Sequence, residues 1–202
     1  MIVAVEGPSA AGKTTWCRQH ASALVEEYAR TGVEPDGTDA AYQADYWIRV
    51  NSGRWRAALD LEAGSGTVIC DSDPLKLHYS WCLSRVGAAP WSRFEQEFAQ
   101  ARYAFASGSL GFADLVLISI PATAILQAQR DADTSRRRKT FALHSTLAEP
   151  LRSWYRAVEA LEPGRVVWGL PANGLPRSSP GPRARRSDPE LLDQLLHLLP
   201  SN

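Results

Sequence analysis

The first fifteen residues, MIVAVEGPSAAGKTT, constrain this chain more than any other stretch. Ile2 to Val5 form a short apolar, β-rich run, and Glu6 follows it. Gly7 and Gly12 then bracket a loop that leads directly into Lys13, Thr14 and Thr15. The pattern G-x-x-x-x-G-K-[ST] is met at every fixed position, in a strand–loop–helix setting. Glycines let the main chain wrap closely around a polyphosphate, and successive N–H groups turned inward make an anion nest. A helix starting near Lys13 adds its positive end. The stretch therefore predicts a nucleoside triphosphate site, with Gly7, Pro8, Ser9, Ala10, Ala11, Gly12, Lys13, Thr14 and Thr15 around the phosphates of ATP. Lys13 is expected to supply a cation to the β- and γ-phosphates, and the Thr14 hydroxyl a ligand for Mg²⁺.

Downstream, strands alternate with helices. Thr14 to Arg30 has two readings: one helix to Thr31-Gly32, or a helix ending near His20 followed by a strand Ala23-Leu24-Val25. Thr38 to Ala63 reads as helix, with a kink or break at Asn51-Ser52-Gly53. Thr67 to Cys70 is a buried-type strand ending on Asp71. Helices are expected over Leu75 to Val86 and Pro90 to Ser107. Leu115 to Ile120, the most apolar run, is the best candidate for a central strand, and Pro121 opens a helix reaching about Arg130. A charged segment, RDADTSRRRK, precedes one long helix, Thr140 to Leu161. A last strand holds VVW, 171–189 reads as a flexible Pro/Gly/Arg-rich loop, and Asp188 caps a terminal helix. This order predicts an α/β, three-layer fold: a parallel sheet of about five strands with helices on both faces.

The length suits one domain spanning 1–202. Charge is balanced at 22 Lys+Arg against 22 Asp+Glu, which gives no general field for nucleic acid. No apolar run approaches a bilayer span and no basic leader is present, so neither a membrane segment nor a signal peptide is expected. Cys17, Cys70 and Cys82 lack metal-ligand spacing, and an odd number of thiols points to a reduced, cytoplasmic chain. A homodimer is compatible with all of this.

Several side chains carry possible chemistry by placement. Glu6 ends the first strand, as either a ligand-facing carboxylate or an acceptor for loop amides. Asp71 ends another strand, where it can hold Mg²⁺ through water or accept a proton. Asp73 fits an N-cap, with Pro74 in the first turn of the next helix. Glu27 and Glu34 compete as the carboxylate that activates an acceptor hydroxyl. Lys76 and His78 follow on the helix after Asp73. Trp47, Arg49 and Trp55 are candidates for lining an acceptor pocket, beside core packing as the simpler use. The basic segment 130–139 fits a lid, in which planar guanidinium groups meet the equatorial oxygens of a transferring phosphoryl group.

This order of features resembles the thymidylate kinase and deoxynucleoside kinase group of P-loop kinases. VEGPSAAGKTT is similar to that group's first strand and phosphate loop, and TVICDSDP stands at its third-strand motif. DLVLISIPATAILQAQR resembles its fourth strand and following helix, and RDADTSRRRK its lid. The resemblance implies ATP-dependent phosphoryl transfer to a hydroxyl or phosphate of a nucleoside, nucleotide or other small metabolite. It carries Lys13 and Thr14 to phosphate and Mg²⁺ binding, Asp71 to the acidic strand-end position as catalyst and metal ligand, and the lid arginines, Arg136 and Arg137 among them, to the transition state; Glu27 as a catalytic carboxylate and Arg130 at the nucleotide come from placement alone. Glu6, Trp47, Arg49, Trp55 and Lys76 fall to the acceptor. Ser72 departs from the pattern, standing where the group has arginine; Lys76 or an arginine of the Arg49–Arg56 helix is the candidate replacement. The alternative is a regulatory ATPase acting on a protein partner, for which no guanine-reading N-K-x-D or separate sensor segment is found.

Overall fold

The computed structural model describes residues 1–35, 37–132, 141–176 and 181–200. Five parallel strands, β1 (Ile2–Glu6), β2 (Leu24–Val25), β3 (Val68–Asp71), β4 (Leu115–Ile118) and β5 (Val166–Trp168), form one sheet in the order β2-β3-β1-β4-β5. Val5 lies opposite Asp71, and Glu6 opposite Ile118. Glu6 and Asp71 thus emerge together at the carboxyl edge of the sheet, where ligands meet folds of this kind.

Side chains alternate across the sheet, and each face finds its own cover. Ile2, Ala4, Val68, Cys70, Val116 and Ile118 point into the larger core. That core is filled by α2 (Ala40–Ser65), α3 (Leu77–Arg85), α4 (Trp91–Ala106), α7 (Ala148–Leu161) and α8 (Pro189–Leu198). Val3, Val5, Ile69, Leu115 and Leu117 meet Trp16 and Cys17 of α1 (Lys13–His20) on the other face. A third, small cluster joins Ala10 and Ala11 of the loop to Leu126 of α5 (Thr123–Ala132) and Phe141 of α6 (Phe141–Thr146). No helix among the described residues is long and apolar enough to cross a membrane.

The chain resolves its first ambiguity in favour of a short α1 followed by β2. Three other expectations change. The helix expected over Asn51-Ser52-Gly53 does not break there, because Asn51 turns its amide to the Leu75 carbonyl (3.3 Å) instead of competing for its own backbone. The long helix from Thr140 divides around Leu147 into α6 and α7. Pro150, in the first turn of α7, has no N–H for the Thr146 carbonyl, and its ring excludes that carbonyl from helical position. Within 171–189, the described parts are anchored: Trp16 Nε1 donates to the Pro171 carbonyl at 2.7 Å, and Arg183 N to Asp114 Oδ1 at 2.8 Å. Arg186 bridges Glu62 (2.7 Å) and the fully buried Asp114 (2.7 Å). Arginine in a loop-like composition here seals the amino edge of the sheet.

Candidate active site

The phosphate loop is shaped by close approach. A Cβ on Gly7 would lie 2.1 Å from the main-chain oxygen of Ser119, so the loop can hug β4 only with glycine there. Ala10 (φ 69°) and Gly12 (φ 80°) take left-handed conformations that turn the chain into α1. No side chain caps α1, and its first turn holds no acidic residue, which leaves its leading N–H groups to a ligand. Lys13 folds its ammonium back onto the carbonyls of Gly7 (2.8 Å) and Pro8 (3.2 Å).

A cavity of about 410 Å³ opens over this loop. Residues Gly7 to Thr15 make one wall, with Arg18 and Glu27 beside them. Its inner end is lined by Glu6, Lys76, His78, Tyr79 and Cys82, and by His144, Leu147 and Leu151 of the elements that follow the basic segment. Arg18, Tyr79, Cys82, His144, Leu147 and Leu151 line it without any site signal in the sequence. Lys76, Tyr79 and Cys82 recur every three residues, a spacing that puts them on one helix face; the other side of the cavity carried no such local signal.

Glu6 is the hub of the inner end. Its Oε1 accepts from Gly7 N (2.9 Å), and its Oε2 from Ser72 Oγ (2.8 Å), Asp73 N (3.1 Å) and Lys76 Nζ (3.1 Å). His78 Nε2 stands 3.4 Å away. Burial opposes the charge on Glu6, but Lys76, His78 and Lys13 outweigh it and hold its carboxyl well below the usual range. Lys76 also donates to Ser72 Oγ. Burial likewise opposes the Lys76 charge, and Glu6 and Glu27 overcome it, so its pKa is raised. Lys76 (φ 49°) and Ser72 (φ 73°) join Ala10 as the described non-glycine residues with positive φ, and all three belong to this site.

Asp71 is 3 % exposed, and its Oδ1 has no hydrogen-bond partner. Burial raises its pKa, against a hydrogen bond from Thr14 and the charge of Lys13 that favour ionisation. A buried orphan carboxylate oxygen beside a threonine hydroxyl is a hard-oxygen set that fits Mg²⁺ held largely by water and phosphate. Among the described residues no group of three or more His, Cys, Asp or Glu is placed to hold a metal alone.

Glu27 and Glu34 part company. Glu27 is exposed and lines the cavity. Glu34 accepts from Thr31 N (2.5 Å), Gly32 N (3.0 Å) and Tyr28 Oη (2.8 Å). Partial burial opposes its charge, but these donors outweigh that and bring its carboxyl down to about 2, so it organises a turn. Asp73 does not cap α3; Lys76 holds that position, while Asp73 Oδ1 accepts from Leu75 N (3.0 Å) and Oδ2 from Tyr155 Oη (3.0 Å). Burial and then Lys76 and Lys13 push the His144 imidazole below its ordinary value.

Trp47, Arg49, Trp55 and Arg130 are not among the lining residues. Trp55 is 1 % exposed in the main core, and Trp47 packs edge-on against Tyr28 and Tyr46. Arg49 pairs with Asp45 at 2.8 Å on the surface. Arg130 pairs with Asp131 (2.7 Å) and covers the Phe141 ring. Arg136 and Arg137, with Arg138 and Lys139, lie outside the described residues.

No protein-family model matches the chain, and no curated protein matches its sequence. Its backbone does match solved structures. Deoxyadenosine kinase from M. mycoides, solved with the products dCMP and dCDP, superposes with a TM-score of 0.57 over 98% of this chain and 96% of that one, at 12% identity. The chain carries the P-loop kinase fold. The same kinase with bound dCTP gives a TM-score of 0.58 at 12% identity, covering 83% of this chain and 89% of that one. With bound dATP the values are 0.57 at 15% identity, covering 83% and 90%. At such identities the likeness concerns the P-loop kinase fold and leaves the chemistry to the residues.

Proposed function

We propose that this chain is an ATP-dependent kinase that transfers the γ-phosphoryl group to a hydroxyl of a small acceptor, with nucleosides the first candidates. One observation carries the reading: a single cavity is lined both by the anion-binding loop and by the Glu6–Lys76–His78 cluster. A donor and an acceptor can therefore share one cavity, which brings the reacting groups side by side. A concave site of about 410 Å³ suits a small molecule better than a protein partner. The M. mycoides deoxyadenosine kinase structures, with dATP, dCTP, dCMP and dCDP bound, support a nucleoside among the acceptors to try.

In this reading Lys13 leaves the carbonyls of Gly7 and Pro8 and turns to the phosphates. Thr14 and Asp71 would hold Mg²⁺, which when bound offsets the charge of the phosphate oxygens. Glu27 has the exposure and position to take the acceptor's hydroxyl proton. Lys76, fixed by Glu6 and Ser72, supplies a cation on the acceptor side in place of the arginine that Ser72 displaces. Arg136 and Arg137 are proposed for the transferring group on sequence grounds. Cys17, Cys70 and Cys82 are buried free thiols, in keeping with a cytoplasmic location as part of the proposal.

The test is ATP turnover against a panel of nucleosides, nucleoside monophosphates and hydroxylated metabolites. One acceptor should raise turnover and emerge phosphorylated, with Glu27→Gln abolishing the gain. A protein partner that stimulates hydrolysis where every small acceptor fails would refute the kinase.

A further inference from the structure

Arg54 of α2 makes an unusual set of contacts for a cation beside an active site. Its Nη2 donates to the carbonyls of Asp71 (2.7 Å) and Ser72 (2.8 Å), Nη1 reaches the Asp73 carbonyl (3.5 Å), and Nε the Glu26 carbonyl (3.3 Å). All of these acceptors are main-chain oxygens. They come from the ends of two neighbouring strands, and the register explains why. β2 pairs with β3 only at Leu24↔Ile69 and Val25↔Cys70. The next pair in register would be Glu26 with Asp71, the residues whose carbonyls the guanidinium spans. The planar fork of arginine can serve both ends at once, which the point charge of a lysine cannot.

We infer that Arg54 is a side-chain rung that continues the β2–β3 ladder one step beyond its main-chain pairing and so positions Glu27 relative to Asp71. The consequence rests on the proposed roles of those two carboxylates. β2 is two residues long and lies at the sheet edge; beside Arg54, its carboxyl end is held by the exposed Arg18–Glu26 pair (3.4 Å) and by Tyr28, whose Oη meets Tyr46 Oη at 2.7 Å, and of these only Arg54 ties it to β3. Glu27 follows Glu26 directly and is exposed on the cavity. Asp71 and the 72–76 turn that carries Lys76 hang from the other side of the same rung. The phosphate loop hangs from β1, away from it. Loss of Arg54 should therefore loosen Glu27 and the 71–76 turn and leave the phosphate loop itself in place.

The test uses Arg54→Met and Arg54→Ala, with hydrogen exchange and kinetics on each. Exchange should speed up at 24–28 and 71–76 and stay unchanged at 7–15. Phosphoryl transfer from ATP, measured with deoxyadenosine and with water as acceptors, should fall by about 100-fold in kcat, the scale of a misplaced reacting group, and by far more than any change in KM for ATP. Added guanidinium ion should restore part of the rate to Arg54→Ala. In the Glu27→Gln background, Arg54→Met should slow the enzyme no further, because both changes remove the same function. Unchanged exchange at 24–28 and 71–76 overturns the rung. Full additivity on an impaired Glu27→Gln enzyme overturns the positioning of Glu27, and wild-type rates in Glu27→Gln itself overturn the base assignment independently of the exchange result.

Discussion

Replacing Glu6 by glutamine keeps the shape of the side chain and removes its charge and one acceptor oxygen. The single amide oxygen would turn to the crowded side, where Ser72 Oγ, Asp73 N and Lys76 Nζ lie at 2.8, 3.1 and 3.1 Å. The amide NH₂ must then face Gly7 N, now 2.9 Å from an acceptor. A buried N–H confronted by a donor costs about 1–2 kcal/mol. Removing the negative partner of Lys76 adds a similar amount. A fully buried pair would cost more, about 3–5 kcal/mol, but the Lys76 side chain keeps 28% exposure and water offsets part of the loss. Together Glu6→Gln should destabilise by about 3 kcal/mol, or roughly 6–12 °C in a chain of this size. Urea unfolding followed by the fluorescence of the seven tryptophans reads this directly. The pH dependence has a definite sign. The Glu6 carboxyl is depressed in the fold, so its contribution is present in full above its unfolded value, about 4.3, and is lost as pH falls through the folded value. The gap between wild type and Glu6→Gln should stay level from pH 8 to about 5 and close only in more acid solution. A gap below about 1 kcal/mol at pH 7, within the range of exposed ion pairs, would refute the hub.

Other substitutions separate the roles of neighbouring residues. Gly7→Ala should destabilise by about 3 kcal/mol and abolish ATP binding, since its Cβ would meet the Ser119 oxygen; binding calorimetry and thermal unfolding check both. Asp71→Asn should lower transfer by about 10–100-fold, the cost of losing a metal-orienting group, while Asp73→Asn stays near wild type in the same assay. Burial raises the Asp71 carboxyl, so the fold holds that proton more tightly than the unfolded chain and stability falls as pH rises through the shifted value. At pH 7 Asp71→Asn should therefore unfold at the same temperature as wild type or higher, although it is the slower enzyme. A lower midpoint would show that the unpartnered oxygen is not under strain.

The donor half of the site was legible in the sequence because it is local. Strand, glycines, lysine and threonine all fall within fifteen residues, and each conformation follows from its neighbours. The β-rich runs ending on Glu6 and Asp71 also declared the sheet edge, since parallel strands are apolar throughout and their last residue is polar. The acceptor half is not local. Leu147 and Leu151 reach the cavity only because Pro150 interrupts a helix whose apolar periodicity runs straight through it. Trp47 and Trp55 looked like a pocket because they are aromatic near arginines, yet α2 buries Trp55 in the core and sends Arg54, not Arg49, toward the strand ends. The loop-like composition around Pro182 concealed Arg183 and Arg186, whose partner Asp114 is distant in sequence.

Transfer of label from [γ-³²P]ATP tests the central claim most directly, with deoxyadenosine and deoxycytidine as first acceptors and Lys13→Ala as the control. Lys13 donates to the loop carbonyls of Gly7 and Pro8, so its removal should leave the fold intact. The wild-type chain should yield a labelled nucleoside monophosphate, and a folded Lys13→Ala chain none. Label released only as inorganic phosphate, or an equal rate from Lys13→Ala, would contradict it.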